Sequence, residues 1–220
     1  MEFATLDPPD RVVIRPLTAA DSAGYRQLRQ RILDIGEGKL FSSSYTREQQ
    51  FTSEDQWREW CTETPVRCII GIFVEGALSG IMGITPCGAP GSLTAEWDAT
   101  WVDPQYRRSG IAGPAYEAVR AWSHDHGYRY AVVDIRADNT RSREIRENQG
   151  AMYLCTKRAA TWADGSTADV HYFLLNISSE AARSRSVEQA VGFFEAALAF
   201  LHHDQHEATD GHEVRREARP

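Results

Sequence analysis

The most constraining feature of the sequence is a β-rich run that stops at a proline and leads, through a short glycine-containing loop, into an amphipathic helix. The run covers Thr94 to Val102, Asp103-Pro104 ends it, and the helical pattern begins at Ala112. Proline ends the strand because it cannot donate to a sheet and restricts the residue before it. A loop that delivers backbone N–H groups to a helix start favours an anion, since the first amides of a helix lack intrahelical partners. This order of elements predicts a phosphate-binding turn.

The loop itself combines arginines with a glycine. Gly110 permits close approach of the backbone to a ligand. The helix dipole contributes only about 0.3–1 kcal/mol to binding an anion. Converging amides, together with Arg107 or Arg108, must therefore supply most of the phosphate affinity. The candidate binding residues of the loop are Arg107, Arg108, Ser109, Gly110, Ile111 and Ala112.

The rest of the chain alternates short β-rich runs with amphipathic helices. Glu75-Gly76 separates two of the runs and has the composition of a tight hairpin turn. Strands are predicted at residues 11–15, 67–74, 77–85, 94–102, 128–135, 151–160 and 168–177, and helices at 18–36, 53–61, 112–126 and 139–150. The pattern is that of a mixed α/β domain.

The ends of the chain differ from this domain, which is predicted to cover residues 11–178. Residues 1–10 and 204–220 are polar and are expected to be disordered. Between residues 179 and 203 the pattern changes to a helix whose apolar stripe runs from Val187 to Leu201. Such a stripe must be covered, either by its own domain or by a second copy. We therefore expect this helical extension to form a homodimer.

The composition of the chain limits the classes of ligand and partner that it is expected to bind. The formal net charge of −7 disfavours nucleic acid, since duplex binding depends on a concentrated basic surface, and is compatible with a cationic substrate. The sequence has neither an apolar stretch of roughly 20 residues nor an N-terminal signal pattern, which predicts a cytoplasmic protein without membrane contact. Its cysteines are scattered, and its histidines offer one pair with helical spacing for a metal, at 202 and 206, without a supporting cysteine. We expect no metal and interpret the cysteines as buried free thiols. The residues concerned are Cys61, Cys68, Cys87, Cys155, His202, His203 and His206.

A second motif follows the strand at 128–135. The segment Asp138 to Ser142 leads into a helix that ends at Glu147-Asn148-Gln149-Gly150. In this order, and with Arg107, Gly110 and Ala112 in register, the two motifs resemble those of the GNAT N-acetyltransferase superfamily. That family has an Arg/Gln-x-x-Gly-x-Gly/Ala loop and an Asn-x-x-Ala/Ser helix. The resemblance covers most of residues 11–177. It implies a GNAT-type mixed, largely antiparallel sheet of about six to seven strands with flanking helices, here with a C-terminal helical extension.

The resemblance also implies a cofactor and a reaction. Members of the family take acetyl-CoA as acyl donor and acetylate a primary amine, which for this chain belongs to a small molecule or a peptide. In the family the fourth and fifth strands splay apart and the acyl-pantetheine lies in the gap, bonded to backbone that corresponds to Trp101 and Val102. By the same resemblance, Asn139 and Ser142 join the cofactor-binding residues.

The fourth strand carries two candidate catalytic carboxylates, Glu96 and Asp98. A lysine-like amine, with a pKa of about 10.4, must lose a proton before it attacks the thioester, and a carboxylate near the cofactor can accept it. Strand alternation predicts that Glu96, Asp98, Thr100 and Val102 share one face, with Trp97, Ala99 and Trp101 on the other. Some family members have a glutamate base where this chain has Glu96, which we therefore prefer. The alternative is that both acids are solvated or paired, for example with Arg136 or Arg129.

One family feature is missing. Many relatives protonate the departing thiolate with a tyrosine, and the matching position here, seven residues after Asn139, is Arg146. Arg146 is either a charge that stabilises thiolate or phosphate, or a solvated residue of the helix surface. The missing tyrosine also leaves open a non-catalytic CoA-binding or interaction module. An acceptor-site wall is expected near Phe41, Tyr45, Trp57 and Trp60, although helix packing is the favoured role of the tryptophans.

Overall fold

The computed structural model describes residues 11–38, 48, 50–162 and 165–177, which form a seven-stranded sheet with flanking helices. The sheet order is β1-β2-β3-β4-β5-β7-β6, and β4 and β5 are its parallel pair. Its elements are β1 (Val12–Pro16), α1 (Ser22–Asp34), α2 (Glu54–Cys61), β2 (Cys68–Val74), β3 (Ala77–Pro86), β4 (Thr94–Val102), α3 (Ala112–Asp125), β5 (Tyr130–Arg136), α4 (Thr140–Asn148), β6 (Met152–Thr161) and β7 (Thr167–Asn176). The predicted mixed, largely antiparallel fold is confirmed. Within the described ranges, the helices are too short or too polar to span a membrane.

Several predictions fall outside the described residues. They are the disordered ends at 1–10 and 204–220, the helix at 179–203 with its apolar stripe, and the acceptor-wall residues Phe41 and Tyr45. These stay predictions.

The β2–β3 hairpin forms because its two turn residues adopt left-handed backbone angles. Glu75 has φ 49° and Gly76 has φ 83°, and Val74 pairs with Ala77 on either side of them. Positive φ at both central positions defines the turn type whose twist matches that of the flanking strands. The predicted Glu75-Gly76 turn is confirmed.

The sheet divides in the middle, between β4 and β5. β4 pairs with β3 along most of its length, but with β5 only from Thr94 to Glu96. After Glu96 the two parallel strands separate. The splay that the family resemblance implied is therefore present, and it exposes the edges of both strands in the interior of the sheet.

A bulge changes the direction of the side chains along β4. The β3–β4 register shifts between Ile81 and Gly83, and Ala99 on the opposite strand has φ 46°. As a result, Trp97 packs in the core on the α3 side and Trp101 in the core on the α1 side. Strict alternation placed both tryptophans on one face, and this prediction is wrong because a bulge inserts an extra residue. Glu96 and Asp98 both precede the bulge and keep a common face.

The helices cover the two faces of the sheet with separate cores. On one face, α3 buries Ala115 and Val119 against β2 to β5. On the other, α1 buries Tyr25, Leu28 and Ile32 with Trp101. Each large apolar side chain buried in this way stabilises the fold by about 1.5–3 kcal/mol. Trp57 and Trp60 pack at the edge of the α1 core, which confirms helix packing as a role for these two tryptophans.

The cysteines of the described residues are not joined in disulfides and are largely buried. Cys61, Cys68 and Cys87 are buried, and Cys155 is half-buried. Burial raises the pKa of Cys61 and of Cys68 to about 12. Because the thiolate is the reactive form, neither thiol is a nucleophile at neutral pH, and the interpretation as buried free thiols is confirmed for these two.

Candidate active site

A pocket opens where β4 and β5 separate. Trp97 to Thr100 of β4 form one wall and Val133 to Arg136 of β5 the other. The start and one face of α4 close it, with Asn139, Ser142 and Arg146 at three- and four-residue spacing along the chain. Two elements that diverge and a helix that crosses behind them thus produce a polar cleft inside the sheet.

The glycine loop leads from the end of β4 into α3 beside this pocket. Asp103 accepts a hydrogen bond from the N–H of Gln105 at 3.1 Å and caps a single turn of 3-10 helix. Arg108 then has φ 69° and Gly110 φ 87°, and these two left-handed residues reverse the chain so that α3 begins at Ala112. The first amides of α3 have no partners within the helix. The predicted order of strand, loop and helix is confirmed.

Two of the predicted loop residues turn their side chains toward the protein. The Ser109 hydroxyl donates to the carbonyl of Tyr106 at 2.7 Å, and Ile111 packs in the core on the α3 side. Neither side chain is directed at a ligand. Any anion in this loop is therefore bound through backbone N–H groups, and that of Ser109 already donates to the carbonyl of Tyr106 at 3.4 Å.

Arg107 forms a structural tie between the loop and the end of α1. Its Nη1 donates to Oε1 of Glu37 at 2.8 Å, and its Nε donates to the carbonyl of Val102 at 2.8 Å. Glu37 also accepts from the indole N–H of Trp101 at 2.6 Å. Glu37 thus joins the side chains of Arg107 and Trp101, and Arg107 also bonds directly to the carbonyl of Val102. All three of these residues were predicted to be near the cofactor.

Of the two candidate catalytic acids, Asp98 lines the pocket. Glu96 lies two residues earlier, where β4 still pairs with β5 at Val132. Asp134 of β5 lines the pocket opposite Asp98. Asp98 fits closely against β3, since a Cβ atom at Gly83 would lie 1.9 Å from its Oδ1. The absence of a side chain at Gly83 therefore makes room for the Asp98 carboxylate.

A buried cluster of Tyr25, Arg29 and Glu48 lies on the α1 side of the sheet. Glu48 accepts from the Tyr25 hydroxyl at 2.5 Å and from Nε of Arg29 at 2.6 Å. Burial, followed by the charge of Glu48, raises the pKa of Tyr25 well above its usual value, so Tyr25 is neutral. Burial lowers the pKa of Arg29, but the carboxylates of Glu48 and Asp98 outweigh burial and raise that pKa. Arg29 is a permanent cation that acts electrostatically on Asp98.

On α4, the motif residues divide into a cap and a buried cation. Asn139 accepts the N–H of Ser142 at 3.1 Å and so begins the helix. Arg146 is 1% exposed, with its guanidinium 4.5 Å from the ring centre of Tyr116. Burial lowers its pKa, an effect that Tyr116 opposes and Arg120 reinforces. The alternative of a solvated surface arginine is wrong for Arg146, because α4 directs this side chain into the gap between the strands.

Sequence reasoning missed the residues that hold these groups in place. Glu37 joins Arg107 across 70 residues and Trp101 across 64, and Arg146 contacts Thr100 across 46. No spacing rule relates positions so far apart. A weaker local signal was present at Glu37, a single acid directly after the glycine that ends α1.

Known proteins share this fold. The family model of the acetyltransferase (GNAT) family matches residues 38–151. No curated protein sequence is significantly similar to the chain. An N-acetyltransferase from Staphylococcus aureus Mu50 superposes with a TM-score of 0.62 at 18% identity, over 77% of this chain and 100% of that one.

Two further solved structures indicate what this fold can bind and modify. YncA from Salmonella typhimurium, with its cofactor acetyl-CoA, has a TM-score of 0.62 at 14% identity and covers 80% of this chain and 100% of its own. An acetyl transferase from the same organism modifies the N-terminal serine of ribosomal protein L7/L12. It has a TM-score of 0.59 at 16% identity and covers 77% of this chain and 96% of its own. At these identities the likeness is one of fold.

Proposed function

The chain belongs to the GNAT acetyltransferase family, and from that premise we propose that it transfers an acetyl group from acetyl-CoA to a primary amine. The observation that carries the proposal is the gap between β4 and β5. It has the glycine loop at its end and carboxylates of β4 on the face toward α1. The acyl-CoA can then enter the gap from one side of the sheet, and the amine can approach its thioester carbon from the other side.

The donor binds along the loop and the gap in this proposal. Amides from Gly110 to Ala112, at the start of α3, hold the pyrophosphate, and Arg108 adds a charge. The pantetheine enters between the strands past Asn139 and Ser142, and the acetyl carbonyl bonds to backbone at Trp101 and Val102. Binding of acetyl-CoA by YncA supports this use of the fold.

The reaction is direct attack by the amine on the thioester. We assign Glu96 as general base, acting through a water molecule that reaches it from the pocket. Asp98, which lines the pocket, is the competing candidate. The two carboxylates share a face of β4, so either is placed to accept a proton from an amine that arrives on that side. Positioned proton transfer of this kind is worth about 10²–10⁴-fold in rate.

The acceptor is an amine on a small molecule or a peptide. The relative that modifies an N-terminal serine makes protein N-termini one class worth testing, and the net negative charge of this chain suits a cationic substrate. The second candidate function is a non-catalytic CoA-binding module. This alternative is favoured by Arg146, which stands where many relatives have a tyrosine.

Two measurements test the proposal. Calorimetric titration with acetyl-CoA tests donor binding, and release of free CoA thiol across a panel of small amines and N-terminal peptides tests transfer. Both candidate functions predict binding, whereas transfer alone predicts thiol release that depends on the acceptor. Binding without release across the panel would favour the module.

A variant set then assigns the base. We expect Glu96→Gln to lower turnover by about 10²–10⁴-fold with acetyl-CoA affinity unchanged, and Asp98→Asn to have a smaller effect. Asp125→Asn, the same chemical change at a side chain that is 73% exposed on α3, is the matched control. Wild-type turnover by Glu96→Gln at saturating amine would remove Glu96 from the mechanism. A larger loss in Asp98→Asn would transfer the role to Asp98.

A further inference from the structure

Arg146 is a buried cation that has no ionic partner among the residues described. Its Nη1 donates to Oε1 of Gln149 at 3.1 Å, its Nη2 contacts the Thr100 hydroxyl at 3.4 Å, and its Nε has no hydrogen-bond acceptor in that part of the chain. A buried charge that is not paired costs several kcal/mol. A neutral side chain of similar size would fill the space without this cost, so the charge itself requires an explanation.

The position of Arg146 limits which anion it meets. The guanidinium lies 4.5 Å from the ring centre of Tyr116 and 5.8 Å from that of Trp97, and aromatic rings at such distances attract a cation. It also lines the pocket in the gap. Thr100, which it contacts, directly precedes the backbone at Trp101 and Val102. The loop that suits the phosphates lies beyond that backbone, so Arg146 is on the thioester side of the site.

Other charged and titratable groups surround this pocket on every element that forms it. Asp98 of β4 and both Asp134 and Arg136 of β5 line the pocket. Outside its lining, Tyr116 and Arg120 of α3 act on the charge of Arg146. Arginine stays protonated at neutral pH even where burial opposes the charge. Arg146 is therefore a fixed positive charge that neither donates nor accepts a proton during turnover.

We propose that Arg146 binds the CoA sulfur as it departs and stabilises the thiolate by charge, which makes Arg146 a catalytic residue. The inference rests on the proposed acetyl-CoA-dependent transfer. The amine nitrogen bonds to the thioester carbon and loses its proton to the β4 carboxylate. The carbon–sulfur bond breaks with its electron pair on sulfur, and the guanidinium N–H groups hold this thiolate. Because a thiol has a pKa of about 8.5, the thiolate takes its proton from water after release.

This mechanism removes the need for a proton donor at the sulfur. An acid is useful when the leaving group is a poor one, but a thiolate is a stable anion and a fixed cation lowers its energy without any transfer. An opposite charge within about 4–6 Å lowers the pKa of an acid by about 1–3 units. The bound CoA thiol should therefore titrate well below free CoA.

The rival explanation is that Arg146 merely clamps α4 to β4 through Thr100 and Gln149. A structural clamp predicts loss of stability on substitution but leaves the chemistry of the sulfur unchanged. The measurement that separates the two is therefore the thiol pKa of bound CoA, which needs neither acceptor nor turnover.

The experiment titrates the ultraviolet thiolate absorbance of CoA bound to the full chain, with desulfo-CoA as the blank. We expect the pKa of the bound thiol to be about 1–3 units below that of free CoA. Arg146→Gln should lose most of this shift and Arg146→Lys, which keeps the charge, should retain part of it. Arg141→Gln is the matched control, because Arg141 lies on the same helix with a side chain that is 76% exposed, and it should keep the full shift.

Each outcome decides a different question. If the wild-type protein binds CoA with an unshifted thiol, or if Arg146→Gln keeps the shift, the role of Arg146 is overturned while the proposed function stands. If CoA does not bind at all, the proposed function fails and this inference with it. The wild-type measurement alone suffices to reject the inference even if Arg146→Gln does not fold.

Discussion

The two sides of the gap between β4 and β5 present different chemical groups, backbone amides on one side and charged side chains on the other. The loop at its end, from Arg107 to Ala112, presents backbone amides, and its geometry depends on two left-handed residues close together in sequence. The side toward α1 presents carboxylates of β4, together with a buried ion pair between Glu48 and Arg29, whose charge acts on Asp98. A site made of backbone tolerates most side-chain replacements. A site made of paired charges fails when one partner is lost.

Burial increases the energetic cost of losing one partner of an ion pair. The side chains of Arg29 and Glu48 are 4% and 2% exposed, whereas Arg15 and Asp21, which pair between β1 and α1, are 40% and 14% exposed. Exposed ion pairs contribute about 0–1 kcal/mol. Breaking a buried pair costs far more, because it leaves an uncompensated charge out of water. The α1 side of the gap therefore combines a buried ion pair, which is costly to break, with the candidate catalytic acids.

The strongest test of this contrast is Glu48→Gln. We expect it to lower the free energy of unfolding by about 3–5 kcal/mol, because Arg29 keeps its buried charge and loses its counter-ion. Denaturant unfolding measures the change. Asp21→Asn, which removes the acid of the half-exposed pair, is the control and should cost about 1 kcal/mol or less. Equal losses in the two variants would show that burial does not distinguish the pairs.

A second test concerns how Asp98 is held. In Gly83→Ala the added Cβ would lie 1.9 Å from Oδ1 of Asp98, and overpacking of this kind costs about 1–3 kcal/mol. Because the clash is with one side chain, we expect Asp98→Ala to relieve it. The double variant should then be more stable than the sum of the single changes predicts. Unfolding free energies of the four proteins give this coupling, and strict additivity would mean that Gly83 does not shape the Asp98 site.

The sequence predicted the elements of the fold because each carries a local signal. Ser53 is the N-cap of α2 and Gln56 completes its capping box. Alternation and glycine punctuation identified the strands and the loop in the same way. The two motifs, taken in order, were enough to identify the family. None of these inferences required contacts between distant residues.

What the sequence did not reveal lies between elements. The bulge at Ala99, which moves Trp101 to the α1 side, depends on register with β3 and has no signature in β4 itself. Burial of Arg146 depends on how α4 crosses the splayed strands, and an isolated amphipathic pattern predicts that the same residue is exposed. Side-chain pairs such as Arg107 with Glu37 join positions 70 apart. The glycine loop could therefore be predicted from the sequence, whereas the surroundings of the acids could not.

The smallest expected effect tests the donor side of the comparison. Gly110 has φ 87°, and no atom of the described residues lies within 4 Å of the position that a Cβ would occupy, so Gly110→Ala introduces backbone strain without a clash. We expect the free energy of unfolding to fall by about 1–2 kcal/mol and CoA affinity to fall about tenfold or less, since about 1.4 kcal/mol is a factor of ten. Calorimetry and denaturant unfolding measure the two changes.

Gly113→Ala is the matched control for this loop. Gly113 also has open space where a methyl group would be added, but it lies inside α3 at ordinary helical angles. Alanine there should stabilise the helix by about 0.5–1 kcal/mol and leave CoA affinity unchanged. Opposite signs for two glycines three residues apart would show that the loop works through the left-handed backbone at Gly110. If Gly110→Ala binds CoA like the wild type and is equally stable, the donor side does not depend on that backbone, and the contrast between the two sides of the gap disappears.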